Sequence, residues 1–262
     1  MTKSDISVPS ATPLSPQKRA LIVGASSGIG AALAHRLADE GYQIALLARR
    51  GEMLDKITNE INKKHGQTRA LYYVHDVSDY GSVPGLFRRI MADLGGLDTF
   101  IFNTGISRSV GLKHFDFDKD RLTMEVNLIG ALAWLNPVAE AFQSLQMGQI
   151  VGISSVAGER GRVGNPSYNT SKAALTCYLE ALRNRLTRYG VNVLTVKPGP
   201  VQTDLIKNAK KLFWVIPPEQ AAKDIFKAMR KRKQEIYTPA RWRWMMLIIR
   251  NIPSFIFRKL TF

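Results

Sequence analysis

The chain has 262 residues, 45% of them apolar and 22% charged, a balance that supplies a sizeable core and excludes a disordered or fibrous protein. One cysteine, Cys177, excludes an internal disulfide and a cysteine-built zinc site, and the histidines at 35, 65, 75 and 114 lack metal-ligand pairing, so no metal is expected. The net charge of +16 is uneven, with 14 Lys and Arg against 3 Asp and Glu over 207–262; anionic lipid, nucleic acid or an acidic partner would all suit that end.

Residues 1–17 carry Pro9, Pro13 and Pro16 without apolar periodicity, and read as a flexible lead-in lacking the apolar run of a secretory signal. From Arg19 onward short aliphatic runs, expected as strands at 20–23, 43–48, 70–74, 99–102, 149–153 and 192–196, alternate with helical patterns. The helices are expected at 29–40, 53–64, 83–94, 121–146 and 168–189. Repeated βαβ units predict one α/β domain over 18–240, a Rossmann-type, doubly wound parallel sheet with helices on both faces. Cys177, in the apolar helical run 173–182, is expected in the core, and the histidines at surface or capping positions. The stretch 242–257 contains Arg243, Arg250 and Pro253, which argues against a membrane-spanning helix; 241–262 reads as a basic amphipathic tail.

The first strand runs into Gly24-Ala-Ser26-Ser27-Gly28-Ile29-Gly30 and then a helix. Glycines there permit a tight turn and close approach of the backbone to a pyrophosphate, while the helix N-terminus offers free N–H donors and about half a positive charge. The second strand ends in Arg49-Arg50, where a fold binding NAD commonly places an acidic residue. Two guanidinium groups suit a 2′-phosphate, predicting NADP(H), although a solvated arginine pair is the plainer reading. Asp76 and the Val77 N–H, after the third strand, are placed to address adenine, with an N-cap or Asx-turn as the structural alternative for Asp76. Asn103 and Gly105 follow the fourth strand at the same carboxyl edge.

Ser155 ends the fifth strand, and thirteen residues later comes Tyr168-x3-Lys172, an i,i+4 pair that shares one helix face. An ammonium beside a phenol favours the phenolate, so Tyr168 can serve as acid and base. Ser155 can hydrogen-bond a substrate oxygen on which negative charge develops.

With these motifs in one order, the chain resembles the short-chain dehydrogenase/reductase family over roughly 18–205: Gly24-x3-Gly28-x-Gly30, Asp76, Asn103-x-Gly105, Asn127, Ser155, Tyr168-x3-Lys172 and Pro198-Gly199-x3-Thr203. The resemblance implies that Tyr168 is the proton donor in carbonyl reduction and Ser155 the carbonyl orienter. It makes Lys172 a ligand of the nicotinamide ribose, and Asn127 the holder of a water linking Lys172 to a proton relay. Pro198, Gly199, Val201 and Thr203 would shape the loop over the nicotinamide. The chain departs from the family's common Asn-Asn-Ala-Gly at Phe102-Asn103-Thr104-Gly105, which touches the detail of the cofactor contacts.

Apolar residues at Leu212-Phe-Trp-Val-Ile216, within a substrate loop at 204–218, suit a lipophilic carbonyl substrate, or simply pack on the core. The tail Arg241-Trp-Arg-Trp-Met-Met-Leu-Ile-Ile-Arg250 mixes tryptophans, aliphatics and arginines as an interfacial helix does. It would meet an anionic membrane surface, an oligomer interface or the substrate mouth. The expected protein is cytoplasmic, with peripheral membrane attachment through the tail as one reading; the resemblance implies a homodimer or homotetramer formed through the helices at 121–146 and 168–189. Two competing classes are a catalytically silent NADP-binding regulator and a nucleic-acid-binding protein. The intact Tyr168, Lys172, Ser155 and Asn127 oppose the first; long aliphatic runs among the basic residues, with no accompanying nucleic-acid module, oppose the second.

Overall fold

A computed structural model describes residues 18–108, 110–207 and 212–260; the expected lead-in at 1–17 and positions 208–211 of the expected substrate loop lie outside the described residues. Seven strands form a single parallel sheet in the order β3-β2-β1-β4-β5-β6-β7. They are β1 Arg19–Val23, β2 Gln43–Ala48, β3 Ala70–Val74, β4 Thr99–Phe102, β5 Gln149–Ile153, β6 Asn192–Pro198 and β7 Glu235–Thr238. Alternate strand residues point to opposite faces, and both faces are covered. Leu21, Val23, Phe100 and Phe102 meet α3 (Val83–Leu94), α5 (Gly130–Leu145) and α6 (Pro166–Leu186) on one side. Ala20, Ile22 and Ile101 meet α1 (Gly28–Asp39), α2 (Gly51–His65) and α7 (Pro218–Arg230) on the other. Trp134, wholly buried, is the largest core side chain, and fully burying a Val, Leu, Ile or Phe stabilises by about 1.5–3 kcal/mol. The order reverses between β1 and β4, so a crevice opens at their carboxyl ends.

The structure departs from the sequence expectations in four places. The helix expected at 121–146 is α4 (Phe117–Met124), a π-helical turn at Glu125–Ile129, and α5. Its start is set by Asp116, whose carboxylate accepts from the Lys119 N–H at 3.1 Å. Beyond the expected strands, α7 leads to β7, which pairs with β6, and α8 (Trp242–Asn251) and α9 (Ser254–Phe257) follow. Cys177 is exposed rather than in the core, because the buried stripe of α6 runs through Ser171, Leu175, Leu179, Leu182 and Leu186 and misses it. His75 is buried rather than at the surface, edge-on to the Trp134 ring at 5.5 Å, and burial holds its imidazole below the ordinary value. No helix among the described residues is long and apolar enough to cross a membrane.

Candidate active site

The crevice is floored by the turn between β1 and α1. Gly24 adopts φ +92°, and a Cβ there would lie 2.7 Å from the Thr104 backbone nitrogen. A Cβ on Gly30 would collide with the Gly24 carbonyl, while Asn103 Nδ2 donates to that carbonyl at 2.8 Å. Asn103 therefore ties the end of β4 to the glycine turn. The α1 N-cap residue, Ser27, makes no side-chain cap bond, which leaves the first N–H groups for an external anion. A cradle that side chains would fill, beside an uncapped helix N-terminus, fits a dinucleotide pyrophosphate. Ile29, on the first turn of α1, packs with Val201, Ile216 and Ala221. A Cβ on Gly28 would be 2.7 Å from Thr203 Cγ2, so the loop after β6 folds back over the turn.

Arg50 lies along the same turn. Its guanidinium donates to Ser26 Oγ at 3.0 and 3.1 Å and to Ser27 Oγ at 2.5 Å, and is 3.5 Å from Asp204. Arg49 turns instead to Asp76, at 3.3 Å. Asp76 also accepts the Ser78 N–H at 2.9 Å, an Asx-turn. These hydrogen bonds and Arg49 hold its carboxyl below the usual range against the opposing pull of burial. Val77 is buried beside Gly130.

On the other side of β4, the Ser155 side chain is a hydrogen-bond partner of the Tyr168 hydroxyl, and Ser155 Oγ accepts the Ala157 N–H at 3.0 Å. Tyr168 and Lys172 project from one face of α6. That helix is registered on β5 by Ser154, whose hydroxyl donates to the Lys172 carbonyl at 2.9 Å and meets Thr176 Oγ1 at 2.7 Å. Lys172 is 3% exposed and donates to the Ile153 carbonyl at 2.9 Å; with no carboxylate to offset burial, its amine is depressed to about 8. Its Nζ lies 5.9 Å from the centre of the Tyr168 ring and 3.1 Å from where a Gly105 Cβ would stand, so a larger residue at 105 would crowd the amine. Burial pushes the Tyr168 hydroxyl up, while a hydrogen bond with Ser155 and the charge of Arg162 pull it down. The charge of Arg162 thus acts on the phenol as well, beside the Lys172 ammonium to which the sequence points.

Asn127 sits wholly buried in the π-helical turn, a distortion that recurs at functional sites. Its Oδ1 accepts the Ile106 N–H at 2.7 Å, and Nδ2 donates to the Ile106 carbonyl at 2.9 Å and to Ser171 Oγ at 3.1 Å. Ser171 in turn donates to the Tyr168 carbonyl at 2.9 Å. Sequence reasoning gave Ser171 and Ser154 no role of their own and did not single out Arg162. The first two lie beside or inside the recognised motifs and could have been flagged as polar residues on an apolar helix face or strand end; Arg162 carries no such local signal.

The segment from the last residue of β6 through the loop that follows, Pro198 to Thr203, is held by Val201 bridging Ile216, by the Gln202 N–H donating to the Ile216 carbonyl at 2.9 Å, and by Thr203 Oγ1 donating to the Val201 carbonyl at 3.2 Å. Among the residues beyond it, Phe213 and Val215 are exposed and Ile216 is buried.

A family model described as short chain dehydrogenase matches residues 18–212. An uncharacterized oxidoreductase of Mycobacterium tuberculosis is 28% identical, covering 88% of this chain and 92% of its own. A fatty acyl-CoA reductase of Acinetobacter baylyi is 32% identical, over 84% of this chain and 76% of the relative. An NADP-dependent 3-hydroxy acid dehydrogenase of Schizosaccharomyces pombe is 30% identical, over 84% and 89%. Among solved structures, a short-chain type dehydrogenase/reductase from Mycobacterium marinum superposes with a TM-score of 0.76 at 26% identity, covering 84% of this chain and 93% of that one.

Proposed function

The chain belongs to the short-chain dehydrogenase/reductase family, and from that membership we propose that it reduces the carbonyl of a lipophilic ketone or aldehyde with NADPH, or runs the reverse oxidation. The coarser statement stands without the proposal: it is an NAD(P)-dependent oxidoreductase acting on CH–OH or C=O groups. The observation that carries the finer reading is the approach of Ser155 and Tyr168 to one another at the carboxyl edge of the sheet, beside the glycine turn.

When bound, the cofactor supplies a hydride to the carbonyl carbon. As charge develops on the substrate oxygen, Ser155 donates a hydrogen bond to it and Tyr168 Oη transfers its proton to it. Burial keeps Tyr168 protonated, as an acid must be, and Arg162 stabilises the phenolate left behind. Lys172, between Tyr168 and Gly105, binds the nicotinamide ribose, and Asn127 holds the backbone at Ile106 and, through Ser171, the start of α6. Gly24, Ser26, Ser27, Gly28, Ile29 and Gly30 cradle the pyrophosphate. Arg50 grips the 2′-phosphate with the serine hydroxyls it already touches, flanked by Arg49. Asp76 and Val77 address adenine, Asn103 and Gly105 line the groove, and Pro198, Gly199, Val201 and Thr203 cover the nicotinamide. The apolar Phe213 and Val215 favour a greasy substrate, and the Acinetobacter baylyi relative named for fatty acyl-CoA gives the same direction.

The reading extends to a homodimer or homotetramer formed through α5 and α6, and to peripheral attachment at an anionic membrane. Supporting attachment, residues 241–260 contain five Arg and Lys and no acid, and Trp244, Ile248 and Phe255 are exposed. Rates of NADPH oxidation across ketones of graded chain length test the substrate class. Tyr168→Phe is expected to lose about 100-fold or more in kcat; wild-type turnover in that variant would sink the proposed proton donor.

A further inference from the structure

The C-terminal segment packs directly against the catalytic edge of the sheet, and the residues that pin it come from the two loops that flank the reaction centre. Glu159, four residues after Ser155, has a side chain only 4% exposed and pairs with Lys197 at 2.5 Å and Arg250 at 3.2 Å. Arg160 donates to the carbonyls of Ile249 and Ile252 at 2.6 and 2.5 Å and covers the Phe257 ring at 3.9 Å. Val156, next to Ser155, forms a small core with Tyr237 and Met246, against which Trp242, Met245 and Ile249 pack. These contacts fix the first residue of α8, Trp242, with its indole laid across Gly199. A methyl group at 199 would occupy the space of Trp242 Nε1 and its neighbours. The indole also meets Trp214 edge-on at 5.3 Å, and the Arg241 guanidinium covers Trp214 at 4.7 Å.

From this arrangement we infer that Trp242 is a positioning residue, which braces Gly199 from outside so that the 198–203 loop holds the nicotinamide in line with the Ser155 and Tyr168 hydroxyls. The loop is then clamped from two sides, by Trp242 at its start and by the Thr203 contact with Gly28 at its end. The tail thereby becomes part of the reaction centre. Trp242 Nε1 is buried and has no partner among the described residues, so the indole acts by shape, and a phenylalanine should serve nearly as well. The inference rests on the proposed role of this loop over the nicotinamide.

The test uses the full chain carrying Trp242→Ala, Trp242→Phe, Gly199→Ala and the Gly199→Ala/Trp242→Ala double variant. Fluorescence titration gives NADPH affinity without turnover; kcat, KM and the primary deuterium isotope effect with 4-deuterated NADPH report on alignment. Trp242→Ala is expected to bind NADPH more weakly, lose about 10- to 100-fold in kcat with little change in ketone KM, and show a larger isotope effect. Trp242→Phe restores most of the loss. Gly199→Ala reproduces it by driving the indole out, and the double variant is no worse than either single one, because both remove the same contact. Wild-type kcat and isotope effect in Trp242→Ala, additive losses, or a defect that phenylalanine fails to repair would each overturn the inference. If Trp242→Ala does not fold, Gly199→Ala against Trp242→Phe decides on the same readouts. A wild-type chain that binds NADPH yet reduces no carbonyl refutes the proposed function instead, and the affinity arm still judges the brace.

Discussion

On the proposed preference for NADPH, replacing Arg50 by alanine should leave an enzyme that hardly distinguishes NADPH from NADH. The guanidinium lies within hydrogen-bond distance of Ser26 and Ser27, on the rim where a 2′-phosphate would enter. A hydrogen bond between charged partners contributes about 1.5–3 kcal/mol when sheltered, but the Arg50 side chain is 50% exposed, so water and salt screen it. A paired contact discounted in this way is worth about 2 kcal/mol, or about 30-fold in Kd. Fluorescence titration of both cofactors at fixed ionic strength measures it: NADPH should weaken by about that factor while NADH stays the same. The NADPH loss should shrink as salt is raised. Arg49, 61% exposed and already paired with Asp76, should matter less. Equal weakening of both cofactors by Arg50→Ala would refute the reasoning, because the guanidinium would then be holding the glycine turn through its serines rather than reading the phosphate.

Three further outcomes follow from the same geometry. Lys172 is depressed from 10.5 to about 8 by burial, so between those values the unfolded chain binds the extra proton and stability rises with pH. Lys172→Met should abolish turnover yet stabilise the ligand-free fold by about 3 kcal/mol at pH 7, an advantage that fades above pH 8; urea unfolding at pH 7 and 9.5 reads it, and a pH-independent difference would count against it. Glu159→Gln should cost about 2–3 kcal/mol by leaving Lys197 with only its bond to Glu235, and an unchanged thermal midpoint would show that the pair contributes nothing. Arg162→Ala removes a charge that pulls Tyr168 down; the alkaline limb of the kcat/KM profile for reduction should therefore move to higher pH, and a profile identical to wild type would remove Arg162 from the mechanism.

Six of the seven strands and the glycine turn were legible because they depend on local chemistry: aliphatic runs of strand length, and glycines where the backbone turns through positive φ. Tyr168 and Lys172 were legible for the same reason, since one helical turn sets their spacing. The strand at Glu235–Thr238 was not, because four residues after the charged run Arg230 to Lys233 have no strand signature until β6 offers them a partner. The π-helical turn escaped too, since Asn127 reads as an ordinary polar residue on an apolar helix. Cys177 was misplaced because an apolar run gives no phase, and only packing on the sheet selected which stripe of α6 faces inward.

The tail shows the division most clearly. Its composition and period already establish an amphipathic, basic helix with two usable faces. Which face turns inward, and onto what, depends on Glu159, Arg160 and Gly199, residues far away in the chain that packing alone brings to α8. Local order is written in short-range steric and hydrogen-bonding preferences, whereas the meeting of Trp242 with Gly199 is decided when the layers close and the cheapest burial of all their side chains is found at once.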